Sequence, residues 1–141
     1  MSEERKVALV TGATRGIGRA IAAELAAAGW FVVGTATSDK GAAAISETLG
    51  EQGAGVVLNV ADDESVATGL KALSAEYGAP LVLVNNAGIT RDNLMLRMKA
   101  DEWQDVINTN LNSLYRVTKA CLKGMTKARW GRVINISSVV G

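Results

Sequence analysis

The sequence predicts an α/β fold: a doubly wound, parallel sheet with helices on both faces and strand order 3-2-1-4-5. Three observations predict it. Short runs of apolar, mostly β-branched residues alternate along the chain with helical patterns. The runs are apolar at successive positions instead of every second one, as in strands buried on both faces of a parallel sheet. Three glycines, Gly12, Gly16 and Gly18, fall in the turn between the first run and the first helix.

Each element has its own signal. Val7-Ala8-Leu9-Val10 reads as the first strand. Ile17, Ile21, Leu25 and Ala28 then share one face of a helix. Phe31-Val32-Val33 is the second strand, and Ala42 to Leu49 a short Ala-rich helix stopped by Gly50. Val56-Val57-Leu58 is the third strand. Asp62-Asp63-Glu64 gives an acidic first turn to a helix carrying Val66, Leu70, Leu73 and Tyr77. Pro80 blocks its continuation, so Leu81-Val82-Leu83-Val84 is the fourth strand. Residues 100–127 form one long helical pattern, and Val133-Ile134-Asn135-Ile136 a fifth, buried strand. No composition shift marks a boundary, so residues 1–141 read as a single domain.

Bulk properties exclude several functions. A formal charge of +1 gives no electrostatic case for nucleic acid or a membrane surface. No apolar stretch reaches membrane-spanning length, and MSEERK does not open a secretory signal. The single cysteine, Cys121, fits a reducing cytoplasm and reads as a small buried apolar residue. The sequence has no histidine, hence neither the commonest general base nor the commonest metal ligand, and no metal site is expected.

The glycine turn reads Thr11-Gly12-Ala13-Thr14-Arg15-Gly16-Ile17-Gly18. Gly12 permits the tight turn, Gly16 lets a phosphate approach the backbone, and Gly18 lets the helix pack closely. The amides opening the helix favour a pyrophosphate. The spacing G-x-x-x-G-x-G is neither the ordinary dinucleotide fingerprint nor a phosphate loop ending in G-K. In this form, T-G-x-x-x-G-x-G, the chain resembles the short-chain dehydrogenase/reductase family. Asn85-Asn86-Ala87-Gly88 after the fourth strand matches that family's N-N-A-G, and Ser138 stands where the family places its catalytic serine. The runs Gly88–Asn93 and Gly34–Ser38 are similar to the bacterial members that reduce 3-oxoacyl thioesters on an acyl carrier protein.

The resemblance implies a Rossmann-type dinucleotide domain and a nicotinamide cofactor. Its pyrophosphate would lie on Gly12, Ala13, Thr14, Arg15, Gly16, Ile17 and Gly18. An acidic residue ending the second strand would bind a ribose diol, but that strand ends in Gly34-Thr35-Ala36. Arg15 offers a fork of donors to a 2′-phosphate and Thr37 a hydroxyl, so the cofactor is expected to be NADP(H). Asp39 is the acidic residue nearest to opposing that choice. The family holds adenine at the third strand's end, here Asn59, Val60 and Asp62, although Asp62 fits a helix N-cap equally well. Asn86, with Ala87 and Gly88, would approach the nicotinamide side, while Asn85 pins the fourth strand through the backbone.

On the long helix, Trp103, Val106, Ile107, Leu111, Leu114, Val117 and Cys121 form an apolar stripe that includes Asn110. By resemblance Asn110 holds a relay water beside a catalytic lysine, and Ser138 hydrogen-bonds the substrate's keto oxygen. The family's acid is the tyrosine of Y-x-x-x-K. Tyr115 and Lys119 have that spacing, but lie about 140° and about 180° around the helix from Asn110, and before the serine strand instead of after it. The resemblance therefore implies an amino-terminal part of the family's fold, incomplete at its carboxyl end and inactive alone. The activity expected of the whole is NADPH-dependent reduction of 3-oxoacyl-[acyl-carrier-protein] in fatty acid biosynthesis, by a homo-oligomer, a tetramer by resemblance. A reductase of acetoacetyl-CoA or of a sugar, and a non-catalytic nucleotide-binding module, are the alternatives. Lys123, Lys127, Arg129 and Arg132 are expected to form a basic cluster near the active-site end, suited to an acidic carrier protein or to a helix carboxyl terminus.

Overall fold

The computed structural model describes residues 5–86 and 100–136, without the side chains of 100–103 and 105–110. Its order is β1 (Val7–Val10), α1 (Gly16–Ala27), β2 (Phe31–Ala36), α2 (Asp39–Leu49), β3 (Gly53–Val57), α3 (Asp63–Tyr77), β4 (Val82–Asn85), α4 (Ala100–Ala128) and β5 (Arg132–Asn135). The five strands form one sheet in the order β3-β2-β1-β4-β5, and each neighbouring pair is parallel. This is the doubly wound, Rossmann-type order that the alternating pattern predicts.

The two faces bury different helices. Val7, Leu9, Val33 and Leu83 meet Val66, Leu70 and Leu73 of α3 and Val117, Cys121 and Met125 of α4. Ala8, Val10, Val32, Val82 and Val84 meet Ala22 of α1 and Ala42 and Ile45 of α2. Burial pushes the Cys121 thiol up to about 12, so no thiolate forms near neutrality. It is a packing residue, as its surroundings in the sequence suggest.

Helix starts and stops follow local chemistry. Ser38 Oγ accepts from the Gly41 amide at 3.1 Å and caps α2, which Gly50 ends at φ 59°. Asp62 Oδ1 accepts from the Glu64 amide at 3.1 Å and caps α3.

Four expectations need correction. On α1, Gly18 and Ala22 are buried and Ile21 and Leu25 pack against the same core, but Ile17, 60% exposed, and Ala28 fall outside the expected face. Close approach at the glycine turn rotates the small residues inward. Similarly, α4 buries Ser113, Val117, Cys121 and Met125, and leaves Leu111 outside. β3 begins three residues earlier than the apolar run, at Gly53, because Gly53 and Gly55 fit where a Cβ would meet backbone carbonyls of Val32 and Ala42. β5 is exposed along its length and, among the described residues, pairs with β4 alone.

Candidate functional site

The carboxyl ends of β1, β2, β3 and β4 meet along one edge of the sheet, and there the sequence has placed its special residues. The first of these is the turn after β1. Two of its amides are already used by β2: Gly12 N–H donates to Thr35 Oγ1 at 3.1 Å and Ala13 N–H to the Thr35 carbonyl at 3.0 Å. Gly12 and Ala13 therefore shape the turn and do not offer these amides to a ligand. Gly12 and Gly16 have φ of 66° and 63°, which glycine tolerates best.

Asn86 holds the turn from the other side. Its Nδ2 donates to the Gly12 carbonyl at 3.0 Å, and its backbone N–H donates to Thr11 Oγ1 at 2.9 Å. Thr11 is itself buried and its N–H donates to the Val84 carbonyl. Sequence reasoning took Thr11 as motif and missed it as a clamp; a hydroxyl closing an apolar strand was the available signal. Asn85 pins β4 through the backbone, its carbonyl accepting from the Ile136 amide at 3.0 Å, and through its side chain as well: Nδ2 donates to Asn135 Oδ1 on β5 at 2.9 Å and to Thr118 Oγ1 on α4 at 3.2 Å.

These constraints leave the start of α1 open. Its N-cap, Arg15, is extended and makes no side-chain cap, and no acidic residue stands in the first turn. α2 and α3 differ on both counts, with Ser38 and Asp62 as caps and acidic residues in the first turn. The first amides of any helix lack intrahelical partners. In α1 those of Gly16, Ile17 and Gly18 are therefore available to an anion at the positive end of the helix dipole. A Cβ on Gly16 would meet nothing within 4 Å, so a ligand has room there. Thr14 and Arg15 are exposed beside this opening.

The chain belongs to the short-chain dehydrogenase family. That family's model matches residues 6–141. The chain is 66% identical to the 3-oxoacyl-[acyl-carrier-protein] reductase FabG of Pseudomonas aeruginosa, 63% identical to that of Vibrio harveyi and 58% identical to that of Escherichia coli K12. Each match covers 100% of this chain but 58% of the relative. Membership of that family implies a nicotinamide cofactor, and the uncapped start of α1 has the form that a dinucleotide's pyrophosphate fits.

Other expected site residues are distributed around that opening. Thr37 follows β2 and is exposed, and Ala36, the last residue of β2, carries no acid. Asp39 begins α2, where its charge complements the helix's first turn. Asn59 and Val60 lie in the connection after β3, where Asn59 Oδ1 accepts from the Ala61 amide at 3.0 Å. Asp62 caps α3. Ala87, Gly88 and Ser138 lie outside the described residues. Asn110 falls within α4, but its side chain is not among those described.

Two surface features complete the inventory of motifs. Tyr115 is 65% exposed and its ring lies 5.7 Å from Lys119 Nζ, on the side of α4 away from the core. That placement excludes it from the clustered site residues. The basic cluster lies at the end opposite to the one expected. α4 runs back toward the amino-terminal ends of the strands, and Arg132 opens β5 there, paired with Val82. The Arg132 guanidinium stacks over Trp130, 4.6 Å from its ring centroid. Lys127, Arg129 and Arg132 are thus remote from this chain's own glycine turn. No helix among the described residues is long and apolar enough to cross a membrane.

Proposed function

We propose that this chain forms the NADP(H)-holding region of a reductase that converts 3-oxoacyl-[acyl-carrier-protein] to the 3-hydroxyacyl form in fatty acid biosynthesis. The observation that carries it is the uncapped, acid-free start of α1, open above Gly16 and flanked by Arg15. The similarity to 3-oxoacyl-[acyl-carrier-protein] reductases supports the substrate class.

When bound, the reduced nicotinamide supplies the hydride. The amides of Gly16, Ile17 and Gly18 hold the pyrophosphate. Arg15 and Thr37 receive the 2′-phosphate, with no carboxylate ending β2 to repel it. Asn59 and Val60, with Asp62 behind them, wall the adenine. Asn86 keeps the Gly12 turn in place, with Ala87 and Gly88 toward the nicotinamide. Ser138 donates a hydrogen bond to the keto oxygen as negative charge develops on it, and Asn110 holds water for the proton's route.

The test is to titrate the gene product carrying this sequence with NADPH and NADH, then assay turnover on acetoacetyl thioesters of a carrier protein and of coenzyme A. Tighter binding of NADPH and faster turnover of the carrier thioester are expected. Arg15→Glu should weaken NADPH by about tenfold or more and leave NADH within about threefold, since only the former presents the 2′-phosphate. Equal binding of both cofactors removes the NADP(H) assignment; preference for the coenzyme A thioester moves the substrate.

The homo-oligomer is proposed along α4, where Leu111, Tyr115 and Leu122 leave an exposed apolar stripe. Sedimentation of that product at monomer mass would remove it.

A further inference from the structure

Arg116 belongs to none of the motifs, yet it makes the longest polar reach described in the molecule's α3–α4 layer. Its side chain, 18% exposed, extends from α4 to the connection between β3 and α3. There Nη1 donates to the Val60 carbonyl at 2.7 Å and Nε donates to Asp63 Oδ1. The two contacts differ in weight. Asp63 is 86% exposed, so the ion pair is screened and contributes little. The bond to Val60 is charge-assisted and partly buried.

The connection is otherwise shaped from within. The Asp62 amide donates to the Asn59 carbonyl at 3.1 Å, the Ala61 amide to Asn59 Oδ1, and the Asn59 amide to Ser65 Oγ at 3.0 Å. Those bonds set the form of the turn but span no more than six residues. Arg116 spans 56 residues and fixes where the turn stands relative to α4, the helix that also carries Asn110. Leu58, just before it, is attached to β2 through the Ala36 carbonyl. The turn is thereby held from both sides.

We infer that Arg116 is a positioning residue for the adenine end of the cofactor: it sets the place of Val60 without touching the nucleotide. This rests on the dinucleotide reading given under Proposed function. Lysine would not replace it, because one ammonium on a flexible stem does not hold two acceptors in a fixed fork.

The test titrates the gene product carrying this sequence, and its Arg116→Met, Arg116→Lys and Asp63→Asn variants, with 2′,5′-ADP by calorimetry. Amide hydrogen exchange of residues 59–63 and of β1 is followed in parallel. Arg116→Met is expected to raise Kd about tenfold at unchanged stoichiometry, the cost of one charged hydrogen bond passed to the ligand. Exchange at Ala61 and Asp62 should quicken while β1 stays protected. Arg116→Lys should fall between, and Asp63→Asn should change Kd by less than about twofold. In turnover, KM for NADPH should rise and kcat hold. An unchanged Kd in Arg116→Met, or exchange quickened throughout β1 as well, overturns the inference. If Arg116→Met does not fold, Arg116→Lys decides, and an unchanged Kd there overturns it. Failure of the unaltered protein to bind 2′,5′-ADP is a different result: it removes the dinucleotide reading itself.

Discussion

Gly18→Ala is expected to lose both stability and nucleotide affinity. A Cβ at Gly18 would stand 3.0 Å from the Gly12 carbonyl carbon, and closer still to its oxygen and to Asn86 Nδ2. Two effects compete. Alanine in place of glycine favours a helix by up to about 1 kcal/mol. The clash is with backbone, which cannot swing aside, and overpacking of this kind costs about 1–3 kcal/mol. The clash wins. It is relieved by moving α1 away from the turn, which displaces the amides proposed to hold the anion. A melting temperature lowered by roughly 2–8 °C is expected, with NADPH affinity reduced by about two orders of magnitude. Calorimetric melting and titration of the same preparation check both numbers. An unchanged melting temperature would mean that the turn yields freely, and the close approach would then carry no weight.

Asn86→Asp should be the second severe change. The side chain's amide donates to the Gly12 carbonyl, and an ionised carboxylate places an acceptor against that acceptor. Leaving a bond of this kind unmade costs about 1–3 kcal/mol. The new charge also faces a bound pyrophosphate, so affinity should fall further than stability. The sign of the pH effect follows. Beside a carbonyl the new carboxyl favours its protonated form, which can donate, so its folded pKa is raised. The variant is therefore closest to the unaltered protein below the ordinary carboxylate range, and loses stability as pH rises through the raised value. Asn86→Ala lacks the charge and should show no such pH dependence. Denaturant titration at pH 4.5 and pH 7.5 separates the two variants; parallel curves for both would show that the carbonyl does not sense the substituent.

Much of this could be read without coordinates, for a physical reason. The strand order, the cap at Asp62 and the stop at Gly50 depend on local chemistry or on chain connectivity, and both are written in consecutive residues. The glycine turn is of the same kind. Facing was harder. Periodicity gives a helix's apolar side, but the sheet takes whichever side fits closest, and at α1 that is Gly18 and Ala22 in place of Ile17. β5 differed too: Val133 and Ile134 have the composition of a buried strand but are exposed among the described residues. Within the site, the residues proposed to touch the ligand were legible because their spacing is chemical. Those that hold them were not. Thr35, Thr118 and Arg116 act over separations of 23, 33 and 56 residues, and no sequence window contains both partners.

All four residues of β1 are fully buried, with a paired strand on each side. The glycine turn is thus moored to the most deeply buried strand of the sheet, the kind of segment that opens last when a molecule breathes. A ligand seated on that turn would therefore meet a backbone already held in place before it arrives.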